Sequence, residues 1–95
     1  MRVGIIRVDF HLPRTHSLKE KRRPLKSLIE RMQNRFHCAA AEVDFQDLYQ
    51  RTAIGISLVS ADGKHLARMM QTITEYLHEN PEMQVLNIQQ ETVGQ

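Results

Sequence analysis

The sequence is poor in the residues that build covalent or aromatic frameworks. Its 95 residues include one cysteine (Cys38), no tryptophan, two tyrosines, four glycines and three prolines. A lone Cys excludes an internal disulfide framework and any multi-cysteine metal cluster. No stretch approaches the roughly 18–20 apolar residues needed to span a bilayer. The opening Met1-Arg2-Val3-Gly4-Ile5-Ile6-Arg7 meets an arginine, and then Asp9, too early for a signal peptide, so a cytoplasmic location is expected. No glycine loop suited to cradling phosphates is present. His11, His16, His37, His65 and His78 form no HxH or HxxxH pair, so no metal site is expected, and no pattern asks for a cofactor.

What is present suits one folded domain covering residues 1–95. Apolar residues make up 41% of the chain and the net charge is only +2, which excludes the low-hydrophobicity, high-charge signature of disorder. The length can bury a real core but cannot support two. The small net charge hides an asymmetry. Residues 1–36 hold ten cations and three anions, net +7, whereas residues 37–95 hold three cations and eight anions, net −5. Either the two halves attract each other within one fold, or the basic part meets an anionic partner.

The periodicities predict β-α-β-β-α-β. Val3 to Leu12 alternates an apolar face (Gly4, Ile6, Val8, Phe10, Leu12) with a mixed one (Val3, Ile5, Arg7, Asp9, His11), the period of a strand. Ser17-Leu18-Lys19-Glu20 reads as a capping box. The helix it opens carries Leu18, Leu25, Leu28, Ile29, Met32 and Phe36 in one stripe. Pro24 falls inside that helix, where a lost backbone hydrogen bond favours a kink over the alternative, a separate turn at residues 17–23 with the main helix starting near Pro24. Cys38–Val43 and Arg51–Ser60 read as strands, and Asp62-Gly63 opens a second helix with Leu66, Met69, Met70, Ile73 and Leu77 facing the core. Asn80-Pro81 stops it. Val85, Leu86 and Ile88 mark a last strand, and the polar Gln89–Gln95 reads as a frayed tail. The expected architecture is α+β and ferredoxin-like: a four-stranded antiparallel sheet, two helices on one face, and the first and third strands central.

The most distinctive chemistry lies at the start of the first helix. Lys19, Arg23 and Lys26 recur at helical spacing with Arg22 alongside, so four cations share one flank. Like charges on one ridge cost a few tenths of a kcal/mol per pair, whereas a helix that meets phosphates gains from counterion release. Arg14 and Lys21 extend the set. His16 and Ser17 lie at the helix start, where backbone donors and the dipole favour an anion. These residues point to phosphate contacts with RNA. A solvated face is the plain alternative.

Other readings find less support. Cys38, among small residues, reads as packed rather than nucleophilic. Glu42, Asp44 and Asp47 match no cation-binding loop and read as turn residues paired with Arg51. An RNA-recognition motif stacks bases on sheet aromatics, yet Thr52–Ser60 has none, so structured or double-stranded RNA suits the chain better. Acylphosphatase shares the element order, but its glycine-rich phosphate loop with a catalytic arginine is absent after the first strand. No catalytic constellation is found, and an enzyme acting on a phosphorylated or acyl substrate rests on the fold alone. A homodimer through the open sheet face is the main alternative to RNA binding: Val3, Ile5, Ala53, Gly55 and Val59 make that face more apolar than solvent requires.

The segments Ser17–Arg23, Leu25-Lys26-Ser27-Leu28, Asn34-Arg35-Phe36, Ala41–Asp44, Gln46-Asp47, Gln50-Arg51 and Ile54-Gly55-Ile56 together resemble the YlxP-like family of small bacterial proteins of unknown function. The likeness runs from Gly4 to about Ile88. It implies a ferredoxin-like fold and a gene commonly found among translation-initiation and ribosome-maturation genes, hence an RNA or ribosome partner. It implies no activity and no catalytic residue. The chain departs from the family pattern at Pro24, where an aliphatic residue is usual, and at Tyr49, where another aromatic is.

Overall fold

The computed structural model describes residues 1–94. The elements are β1 (Arg2–His11), α1 (Leu18–Phe36), β2 (Ala39–Asp44), β3 (Arg51–Ser60), α2 (Gly63–His78) and β4 (Gln84–Gly94). The strands form one antiparallel sheet in the order β2-β3-β1-β4, with the first and third strands central as expected. Alternation puts Ile6, Val8 and Phe10 of β1 and Ile54, Ile56 and Leu58 of β3 on the covered face. There they meet Leu28 and Met32 of α1 and Leu66, Met70, Ile73 and Leu77 of α2 in a single core. Gly4 lets α2 approach closely, because a Cβ there would lie 2.7 Å from the Met70 sulfur. Cys38 is packed: its thiol donates to the Met32 carbonyl at 3.4 Å, and burial pushes its pKa up.

The structure bears on three expectations. First, the C-terminal residues are not a loose tail. β4 pairs with β1 from Gln84 opposite His11 to Gly94 opposite Arg2. Backbone hydrogen bonds, which do not depend on side-chain polarity, hold this edge strand, so its exposed positions can be polar. Gln95 lies outside the described residues. Second, α1 runs as one helix from Leu18 to Phe36 with Pro24 buried inside it, so residues 17–23 are not a separate turn. Third, the acidic residues expected to pair with Arg51 mostly pair elsewhere. Glu42 meets Lys21, Asp44 meets Arg7, and Arg51 approaches Asp9 at 3.9 Å while its guanidinium stacks on Phe45.

Lys21 explains how the long β2–β3 connection is held. Its ammonium has three protons and finds three acceptors: Glu42 Oε2 at 2.8 Å, the Phe45 carbonyl at 2.9 Å and the Leu48 carbonyl at 2.7 Å. Only 3% of Lys21 is exposed. Glu42 Oε2 also accepts from the buried Thr52 hydroxyl at 2.6 Å. A buried ion pair is tolerable because every proton is satisfied. The inward stripe of α1 therefore begins at Lys21 and Pro24, while Leu18, expected in that stripe, is exposed.

Two outcomes follow for stability. Lys21→Met strips Glu42 of its cation and the Leu48 carbonyl of its donor, and leaves the Phe45 carbonyl with the Leu48 amide alone. Breaking a buried pair from one side costs about 3–5 kcal/mol, which a urea unfolding curve measures; a loss under about 1 kcal/mol, the scale of an exposed pair, would contradict the burial. The second outcome concerns Asp44, whose pKa is held below its ordinary 3.8 by the Phe45 amide and then by Arg7. A depressed folded value means the ionised form stabilises the fold above the unfolded pKa, and this contribution disappears as pH falls through the lowered value. Melting temperature should thus decline on acidification below about pH 4, and Asp44→Asn should make that decline shallower.

Candidate nucleic-acid interface

The candidate surface begins where β1 hands over to α1. Ser17 caps the helix by accepting from the Glu20 amide at 3.0 Å, and the Glu20 carboxylate reaches back to the His16 amide at 3.4 Å. The capping box forms, with its return bond one residue earlier than the motif specifies. The anion expected at this helix start is therefore met in part by the protein's own Glu20. Ser17 is engaged as the cap, whereas the His16 side chain is exposed.

Of the six cations expected to contact phosphates, five stand in solvent: Arg14, Lys19, Arg22, Arg23 and Lys26. Lys21 does not join them, because it points into the fold and all its protons are used. Arg14, Lys19 and Arg22 make no ion pair among the described residues. Arg23 lies 3.9 Å from Glu82, and Lys26 lies 3.9 Å from Glu30 one turn on. Such long, exposed contacts contribute little and leave the cations available. The acidic second half of the chain thus neutralises Lys21 firmly and Arg23 weakly, and leaves the rest of the ridge free.

Arg14, Lys19 and Arg23 line an open cleft of about 640 Å³ together with Thr15, Pro24, Glu20 and Glu82. Its two carboxylates make it less basic than the ridge itself. Arg22 and Lys26 lie outside it. No group of three or more His, Cys, Asp or Glu gathers to hold a metal ion among the described residues. No described helix is long and apolar enough to cross a membrane.

A second basic group was not singled out in the sequence. Arg31 donates to the Tyr76 hydroxyl at 3.1 Å, and the Arg35 guanidinium lies 4.9 Å from the Tyr76 ring centre. Phe36 meets Tyr76 edge-on. Two arginines at i and i+4 in the last two turns of α1 were the available signal; their aromatic partner on α2 is 45 residues from Arg31 and could not be paired with them by spacing.

Comparison with known proteins agrees with this fold-wide likeness. A family model described as "Protein of unknown function (DUF503)" matches residues 3–90. A curated relative from Bacillus subtilis (strain 168), "Uncharacterized protein YlxP", is 37% identical over 68 residues, which cover 72% of this chain and 74% of the relative. The family match, residues 3–90, takes in the basic helix and most of the sheet that carries it, and the chain belongs to the DUF503 family, the YlxP-like proteins of unknown function.

Proposed function

We propose that this protein is a non-enzymatic RNA-binding protein that grips structured or double-stranded RNA through the outer face of α1. One observation carries the reading: Lys19, Arg22, Arg23 and Lys26 share that face, exposed and at most weakly paired, with Arg14 beside them. Like charges so arranged repel one another and give folding nothing, whereas phosphates convert them into affinity through counterion release. A-form helices are recognised largely by shape and phosphates, which suits a rigid cationic ridge. The gene setting that accompanies the YlxP-like resemblance supports a partner in translation or ribosome maturation.

A second reading, a homodimeric interaction module, rests on the opposite surface. On the open sheet face Val3 sits between Val59 and Val93 in register, and Val59 is 63% exposed. Two rows along the same face, beyond Ile5 and Glu91, Arg7 bonds Asp9 at 3.0 Å and Asp44 at 3.1 Å, so these three charges are satisfied within the face. A dimer there would leave α1 outward.

Two measurements separate the readings. With about four phosphates neutralised, the logarithm of RNA affinity should fall with log salt at a slope of roughly −3 to −4, and the double change Arg22→Glu, Arg23→Glu should abolish binding. A flat salt response, or unchanged binding by the double variant, rejects the first reading. Sedimentation at tens of micromolar should show a dimer if the second is right, and a monomer rejects it.

A further inference from the structure

At the end of the molecule where the basic ridge begins, three large apolar side chains stand in solvent: Leu18 at 45%, Leu48 at 47% and Tyr49 at 45% exposure. The loop that carries two of them is firmly held. Lys21 binds the Leu48 carbonyl, the Thr15 hydroxyl reaches the Tyr49 carbonyl, and the Leu12 amide donates to the Gln50 carbonyl at 2.9 Å. Gln50 Nε2 returns a bond to the Thr15 carbonyl at 3.2 Å. Three successive carbonyls are thus tied inward while the Leu48 and Tyr49 side chains are left outside. A hollow of about 220 Å³ runs along this tip, lined by residues 47–51.

Pinning a loop in this way orders it in advance of binding, and displaying an aromatic ring from it does nothing for the core. The neighbours decide what the ring would meet. Thr15, to which Tyr49 is bonded, is flanked by the exposed Arg14 and His16, and the exposed Lys19 follows on the first turn of α1. An apolar protein patch would have to desolvate these cations, whereas a nucleotide satisfies both features at once. Its base stacks on the ring and its phosphates meet the cations.

We infer that the Leu48–Tyr49 tip is a stacking platform for one unpaired base, and that the ligand is structured RNA interrupted by a bulge or loop rather than a uniform duplex. This rests on the RNA-binding reading above and adds a base contact to its phosphate contacts. Arg14 and Lys19 hold the phosphates that flank the extruded base, while the rest of the ridge follows the paired stem.

The test compares a fully paired RNA hairpin stem with the same stem carrying one unpaired 2-aminopurine. The interrupted stem should bind about tenfold tighter, within the range that aromatic–base stacking supplies, and the fluorophore should be quenched. Tyr49→Ala should remove both the preference and the quenching, and so should Tyr49→Leu, which keeps apolar volume without a ring. Tyr49→Phe should keep both. Affinity for the paired stem and its salt slope should stay unchanged in all three variants, whose thermal melts should match the parent because the fold holds Tyr49 by its carbonyl. Equal affinity for the two RNAs, or a preference that survives in Tyr49→Leu, overturns this inference and leaves the phosphate-binding reading standing. Failure to bind either RNA at low salt overturns both.

Discussion

The three hydrogen bonds of the Lys21 ammonium are the constraint on which the functional end of this molecule depends. They join the first turns of α1 to the far end of β2 and to the carbonyls of the loop that follows it. A lysine buried without partners would surrender its charge or unfold its surroundings. Here Glu42 supplies the counter-charge, and the Phe45 and Leu48 carbonyls, the first of which also accepts the Leu48 amide, take the remaining protons. The same contacts set where α1 sits against the sheet edge, and so where the exposed cations on its other side face.

Much of the architecture could be read from the residues because it follows from local periodicity. The alternation in Val3–Leu12 and Arg51–Ser60 reports one covered face, and the capping box at Ser17 marks where α1 starts. Right-handed crossovers then leave β1 and β3 central. The length of β4 was not legible, because an edge strand held through its backbone does not need apolar alternation, and Gln89–Thr92 show none. Met83, buried before β4, has no periodic neighbours to announce it.

Lys21 was illegible for a different reason. Its neighbours Lys19, Arg22 and Arg23 are all solvated, and although Lys21 falls in helical register with Leu28 and Met32, Arg22 also borders that stripe and nothing local names the acceptors that would let a lysine be buried. The groups that bury it lie 21 to 27 positions away along the chain, at Glu42, Phe45 and Leu48. Charge asymmetry between the two halves of the sequence thus had two meanings at once. One cation is consumed in holding the halves together, and the ridge around it remains for a partner. Leu18 shows the complementary error, since an apolar residue in helical register need not face the core when it lies in the first turn.

The two surfaces that invite partners lie on opposite sides of the sheet. The helices and the core cover one face, with the cationic side of α1 outward, while the other carries the valine row and the Arg7–Asp9–Asp44 network. Occupying one does not obstruct the other. The account stands most directly on where RNA touches the protein, which amide chemical-shift mapping with a structured RNA measures residue by residue. It predicts shifts concentrated at residues 14, 19, 22, 23 and 26 and at the 48–49 tip, with the open sheet face silent. Shifts confined to β1, β3 and β4 on that open face would contradict it.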